Sequence, residues 1–421
     1  MSIDHGMSID EVERLAASLR DVATRLRTMR QSLQSNVSRA PWSGPTATRF
    51  KSEWWPRHRA LLDRIRTDLE GFATCASNNA SDQRAASESS FAVLGTGSAQ
   101  AVAMESRILA NRHRVEGERE RLRTKLSGKE GARLLLDHPG EYESELRRFE
   151  LYERVLRENR QILFFDPQGD GEIAVAAGDV RTAKHLAVTV PGISNKLDNY
   201  WTLLDDADRL RTSAGEDTAV VAWLGYDTPI DAGGAVLQDL NPFDGSNSGI
   251  RQITTDAYAK NAAPLLAGFV NQLHGTNPDA SISVFGHSYG SVVTSMAAQQ
   301  GLKADNVVFL GSPGMGGATS VADFKLNEGA HVYAAVPRGV DFAGASVGGD
   351  YVDNLASNLR GMHSLGVSPY DPAFGAVRLD IGLSASAFTH DKYYAAGSQS
   401  LSQMTAVMLG NGPDAGAQGG W

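Results

Sequence analysis

The chain has 421 residues and one cysteine, Cys75, so no disulfide can close within it and no cysteine-built zinc site is possible. It has no apolar run of the ~18 residues that a membrane-spanning helix needs, so none is expected. The opening residues, MSIDHGMSIDEVER, lack a basic n-region and an apolar h-region, so a Sec-type signal peptide is not expected. Basic residues are scarce in the second half. Residues 161–421 carry 13 Lys and Arg against 26 Asp and Glu, which argues against a nucleic-acid groove there. In residues 1–160 the count is 27 against 23, with both signs interleaved at helical spacing, so no phosphate-binding patch is expected. What remains is ordinary for a folded protein: 42% hydrophobic and 21% charged residues, enough for a sizeable core. The asymmetry of charge points to two different kinds of domain.

The first half reads as helices. Ser8 and Glu11 have capping-box spacing, and Ile9, Val12, Leu15, Leu19, Val22, Leu26, Met29, Leu33 and Val37 then recur every three or four residues. The helix should end before Pro41, because the residue preceding a proline is pushed out of helical geometry. Pro45 suits a first helical position, and Phe50, Trp54, Leu61, Ile65, Leu69 and Phe72 mark a second stripe. Two amphipathic helices joined by a short turn predict an antiparallel hairpin over residues 1–100. Residues 76–101, rich in small polar side chains, read as a linker or frayed helix end. Helical patterns at 104–126 and 142–160 predict a helical connector over 101–160.

The turn of the hairpin contains Trp42-Ser43-Gly44. With matched helices on either side, it resembles the WXG100 (ESAT-6-like) family. That resemblance implies homo- or heterodimerisation through the hairpin and export by a type VII (ESX)-like route, the alternative being a cytoplasmic protein. The Tyr-x-x-x-Asp/Glu tail associated with such export is not visible, since Tyr142 and Tyr152 are each followed four residues on by leucine.

From about Gln161 the period changes. Short apolar runs at 162–165, 173–177, 186–190, 219–224, 282–285, 307–310, 332–336 and 376–381 alternate, in the later part, with helical stretches at 250–274, 291–300 and 398–409. This predicts an α/β domain over 161–410: a mostly parallel sheet covered by helices on both faces, followed by a disordered tail at 411–421. Asp166-Pro167-Gln168-Gly169-Asp170-Gly171 is turn chemistry, so the first two runs should form an antiparallel hairpin at the sheet edge. The turn opens like a calcium loop, but Ala177 stands where a bidentate Glu is required. No metal and no cofactor is expected.

The chemistry is carried by Gly286-His287-Ser288-Tyr289-Gly290, a G-x-S-x-G between an apolar run and a helix-forming run. Gly344-Ala345-Ser346-Val347-Gly348 also matches but has neither flank. A serine on a sharp strand-to-helix turn, with Gly286 and Gly290 permitting close approach and His287 beside it, is held above the edge of the sheet. The helix behind it offers free N–H donors to a developing oxyanion. Such a serine needs a base, and the usual chain order is serine, acid, histidine. Of His331, His363 and His390, the last follows the final apolar run and precedes the final helix, where the base should sit. Asp341, just after the 332–336 run, is the candidate acid, with Asp323, Asp350 and Asp353 as alternatives. The oxyanion hole should combine the Tyr289 amide with one from the loop after an early strand, Pro191-Gly192-Ile193-Ser194, either Ile193 or Ser194. Loops 226–249 and 342–372 should shape the pocket. Trp223 reads as core.

Taken together, Phe165-Asp166-Pro167, Val190-Pro191-Gly192, Trp223-Leu224-Gly225-Tyr226-Asp227, Gly286 to Gly290, Gly311-Ser312-Pro313-Gly314 and Asp371-Pro372 resemble the α/β-hydrolase family formerly called DUF1023. The resemblance covers about residues 160–410 and implies a serine hydrolase fold. An ester or lipid is the implied substrate class, and an esterase, lipase or phospholipase the implied activity. A non-catalytic role in type VII secretion through the hairpin is the competing expectation.

Overall fold

A computed structural model describes residues 9–39, 41–55, 96–229, 255–338, 365–384 and 392–413, with single positions between 58 and 73. The chain divides into two compact units, residues 1–99 and 100–421.

In the first unit, α1 (Ile9–Arg39) ends two residues before Pro41. Its nine apolar positions do not act as one stripe. Ala16 and Ala23 are buried, with Val12, Leu19 and Leu26 half-buried around them, whereas Leu15, Val22, Met29 and Leu33 are exposed. Nine apolar residues cover a wider arc than one partner helix can occupy, and the buried face centres on the alanines. After the turn, α2 (Pro45–Arg49) runs into a π-helical turn, Phe50–Trp54. Each π-turn adds a residue to the helical period and shifts its phase. Along the second stripe Ala47, Trp55 and Ala73 are buried, Phe50, Leu62 and Leu69 are half-buried and Ile65 is exposed, while the side chains of Trp54, Leu61 and Phe72 lie outside the described residues. Trp55 is 6% exposed and its indole N–H donates to Oε1 of Gln34 at 2.6 Å. Trp42 is 44% exposed and lies against Phe50, ring centres 5.2 Å apart.

Three helices come next, α3 (Thr96–Leu126), which belongs to the second unit from Gln100 on, α4 (Gly128–Asp137) and α5 (Pro139–Arg157). Of the expected linker, residues 76–95 lie outside the described positions and 96–101 form the start of α3. Among the described residues eight strands follow: β1 (Gln161–Asp166), β2 (Glu172–Ala177), β3 (His185–Val190), β4 (Thr218–Leu224), β5 (Ser281–His287), β6 (Asn306–Leu310), β7 (His331–Arg338) and β8 (Val377–Ser384). Between and after them lie α6 (Trp201–Ala214), α7 (Ala257–Thr276), α8 (Tyr289–Gly301) and α9 (Gln399–Met408). The sheet order is β1-β2-β4-β3-β5-β6-β7-β8. β1 pairs antiparallel with β2, and β2 with β4; every other pair is parallel.

The central strands read as near-continuous apolar runs because both faces are covered. Successive residues of β4 go to opposite sides. Ala219, Val221 and Trp223 join the core under α7 and α8; Val220, Ala222 and Leu224 join the one under α5, α6 and α9. Trp223 is a core residue, 2% exposed and stacked on Tyr226. Residues 101–160 are more than a connector. Met104 and Ile108 pack into the first core, while Val115, Leu122, Leu151, Tyr152, Val155 and Leu156 pack into the second.

Candidate active site

The order of the central strands creates a crevice. From β3 the chain leaves toward α6, whose apolar residues belong to one core; from β5 it leaves toward α8, whose residues belong to the other. Loops departing from neighbouring parallel strands to opposite faces part at the C-terminal edge, where ligands of such sheets bind. Ser288 follows β5 at that point, and Pro191-Gly192 follows β3.

Ser288 has φ 53° and ψ −127°, one of three non-glycine residues with positive φ among the described residues. This geometry is unfavourable for any side chain with a β-carbon and persists only where its surroundings over-determine it. Here they do. The Ser288 amide donates to the Leu310 carbonyl at 2.8 Å, and its carbonyl accepts from the Ser291 amide at 2.9 Å. The buried Ser291 hydroxyl donates to the same carbonyl at 2.6 Å and lies 2.7 Å from the hydroxyl of Ser312. The Ser312 amide donates to the Tyr370 hydroxyl at 2.7 Å, tying in the loop after β6.

The two elbow glycines are explained by contact. A Cβ on Gly290 would stand 2.4 Å from the carbonyl oxygens of both Val190 and Pro191. One on Gly286 would stand 2.7 Å from Cα of Ser291. Gly192 makes the corresponding approach from β3, where a Cβ would lie 2.6 Å from Cβ of Ser288 and 3.0 Å from its Oγ. Thus the loop after β3 presses its backbone directly on the nucleophile candidate, which is 5% exposed.

Tyr289 opens α8, so its amide is one of the helix's N-terminal donors without an intrahelical acceptor. Its buried phenol serves α7 instead, accepting from the Ala259 amide at 3.2 Å and donating to the Thr255 carbonyl at 2.6 Å; burial raises its pKa. Of the two proposed partners for the oxyanion hole, Ser194 is removed. Its amide donates to the Pro229 carbonyl at 2.9 Å, so it is already spent. Ile193 directly follows Gly192 and remains. The ring of His287 packs edge-on against Tyr393, ring centres 5.4 Å apart.

Asp341 and His390 lie outside the described residues, as do the alternatives Asp350, Asp353 and His363, the second serine motif at Ser346, and most of loops 226–249 and 342–372. Two alternatives can be judged. His331 begins β7, at the opposite edge of the sheet from Ser288, and is exposed. Asp323 is exposed and caps a short turn: its carboxylate accepts from the Thr319 and Ser320 amides and the Thr319 hydroxyl, and these bonds hold its pKa below the ordinary value.

The turn between β1 and β2 is closed by Arg148, whose guanidinium donates to the carbonyls of Pro167, Gly169 and Asp170. Beside it stands a carboxyl that the sequence did not announce. Burial, with the nearby charges of Asp227 and Asp166, pushes Glu172 up to about 7.

Residues 166–341 match a protein-family model described as an alpha/beta hydrolase. An uncharacterized protein of Mycobacterium tuberculosis H37Rv is 35% identical over 270 residues, covering 59% of this chain and 39% of that protein. A second uncharacterized protein, from Mycobacterium bovis, is 34% identical over 155 residues, covering 34% of this chain and 52% of its own length. The chain therefore spans 39% and 52% of these two relatives. Among solved structures, esterase LipW from Mycobacterium marinum aligns at 11% identity and a TM-score of 0.33, over 64% of this chain and 86% of its own. Carboxyl esterase 2 from Tuber melanosporum aligns at 10% and 0.31, over 60% and 86%. With its strand order, its elbow after β5 and the family match over residues 166–341, the second unit has the α/β-hydrolase fold.

Proposed function

We propose that the protein is a serine hydrolase that cleaves carboxylic esters through an acyl-enzyme. The observation that carries this reading is Ser288, a strained serine at the C-terminal edge of the sheet, at the N-terminus of α8 and against the Gly192 backbone. In the proposed reaction Oγ of Ser288 attacks the ester carbonyl carbon as His390 takes its proton. The tetrahedral oxyanion is held by the Tyr289 and Ile193 amides, and the proton passes to the departing alkoxide. Water, deprotonated by His390, then releases the acid and regenerates Ser288. Asp341 orients the imidazole. Two observations support these partners. Tyr393, three residues after His390, packs on His287, the neighbour of Ser288. β7 ends at Arg338 on the edge that carries Ser288, and Asp341 follows three residues later in the sequence. No step needs a metal or cofactor.

The test is fluorophosphonate labelling of the purified protein beside Ser288→Ala, with mass mapping of the adduct. An adduct on Ser288 that is absent from the variant is the expected result. Persistent labelling of Ser288→Ala, or no adduct on the wild type, overturns the reading. A p-nitrophenyl ester series of increasing acyl length then separates an esterase from a lipase or phospholipase.

The exposed positions Leu15, Val22, Met29 and Leu33 of α1 favour a second role beside catalysis, pairing of the helical hairpin with another hairpin. A sedimentation mass that stays monomeric for the protein alone and with candidate hairpin partners would exclude it.

A further inference from the structure

The loop after β3 carries a device that the reading above does not assign. Two successive carbonyls, those of Gly192 and Ile193, accept from the same side chain: Nδ2 of Asn195 donates to Gly192 O at 3.1 Å and to Ile193 O at 2.9 Å. A primary amide nitrogen has two N–H groups, and both are used. In a planar trans peptide the C=O and the following N–H point in opposite directions. The Gly192 carbonyl turned toward Asn195 therefore sends the Ile193 N–H away from it. The next peptide obeys the same rule, visibly: the Ile193 carbonyl is on Asn195 and the Ser194 N–H points away, to the Pro229 carbonyl at 2.9 Å. Between them Ser194 takes a left-handed φ of 63°.

Asn195 is itself gripped. Its amide donates to the Thr228 hydroxyl at 3.0 Å, and that hydroxyl donates back to its carbonyl at 2.9 Å. Tyr226, buried beside Trp223, donates to the Pro191 carbonyl at 2.7 Å. The strand-exit segment of β4 thus fixes both ends of the loop, and Asn195 fixes the peptide planes between.

We propose that Asn195 is the positioning residue of the oxyanion hole: by holding the Gly192 and Ile193 carbonyls it presents the Ile193 N–H to the oxygen of a tetrahedral intermediate on Ser288. Asn195 does not touch substrate. The proposal rests on the hydrolase reading above.

Asn195→Asp tests it, because the carboxylate keeps the shape but replaces two donors by an acceptor that repels both carbonyls. The expected result is a fall in kcat on a p-nitrophenyl ester of about 10²–10³, the range for loss of one oxyanion donor. KM should stay within about threefold, since ground-state binding is untouched. The Ki of a trifluoromethyl ketone, whose hemiketal oxyanion occupies the hole, should rise by the factor that kcat/KM loses. Asn195→Ala, which removes the donors without adding charge, should follow the same line with a smaller loss, read as the same kcat-against-KM split in protein that a thermal melt shows to be folded at the assay temperature. An unchanged kcat in both variants, or a raised KM with kcat and ketone affinity retained, overturns the assignment alone. A wild-type protein that neither labels with fluorophosphonate nor hydrolyses esters overturns the hydrolase reading and this assignment together.

Discussion

Strain at Ser288, of order 1–3 kcal/mol for such a backbone conformation, is affordable only because contacts on three sides leave it no alternative. Gly290 is the tightest of these contacts. A methyl group there meets two carbonyl oxygens at 2.4 Å, and both belong to backbone that cannot step aside. Gly290→Ala is expected to destabilise the protein by roughly 1–3 kcal/mol, as overpacking does, and to abolish fluorophosphonate labelling in the fraction that still folds. Gly268 is the control. It lies on an exposed face of α7 with open space around it, so Gly268→Ala should raise stability by about 0.5–1 kcal/mol through helix propensity. Urea melts of the two variants, with labelling alongside, check both expectations.

The β1–β2 hairpin and the end of β4 bring three carboxylates to one edge of the sheet. Glu172 pairs with Asp166 across the hairpin, while Ile173 stands opposite Leu224, three residues before Asp227. Burial first, then the charges of Asp227 and Asp166, raise the Glu172 carboxyl from its ordinary value to about 7. The folded state therefore holds this proton more tightly than the unfolded chain does. Stability through this group falls as pH rises from about 4.5 through about 7, and the penalty is complete above that. Glu172→Gln removes the charge without changing the shape. Its melting temperature should exceed wild type at pH 8 and equal it near pH 4, and scanning calorimetry across that window measures the difference. A variant that tracks wild type at every pH would show that Glu172 titrates normally.

Taken as one body, residues 100–421 include helices that composition alone would assign to the first half. Val115, Leu122, Leu151, Tyr152, Val155 and Leu156 sit in the core beneath β1, β2 and β4. Fully burying one large apolar side chain contributes about 1.5–3 kcal/mol, so removing six approaches the whole stability of a typical domain. A fragment starting at residue 160 should be insoluble or molten. One starting at residue 100 should fold and, on the hydrolase reading, keep the labelling of Ser288. Circular dichroism and fluorophosphonate labelling of the two fragments decide this. A soluble, cooperatively melting 160–421 fragment would show that the helices are dispensable.

The eight strands among the described residues lay within three residues of apolar runs visible in the chain, because a strand buried on both faces must be apolar along its length. The elbow was equally legible: G-x-S-x-G between such a run and a helix specifies a local geometry that few other residues permit. Helix α6 left no clear trace, since Leu204, Ala207 and Leu210 stand among charged residues that mask a narrow stripe. At α1 the expected stripe proved wider than the buried face, because periodicity shows which residues are apolar but not which of them a partner covers. Asn195 gave no sign in the chain at all. Its role depends on Thr228 and Pro229, some 33 and 34 residues away, meeting the loop after β3. Periodicity records what each residue prefers along its own element. Which surfaces close on one another, and hence which amide faces Ser288, is decided by contacts between elements far apart in the chain.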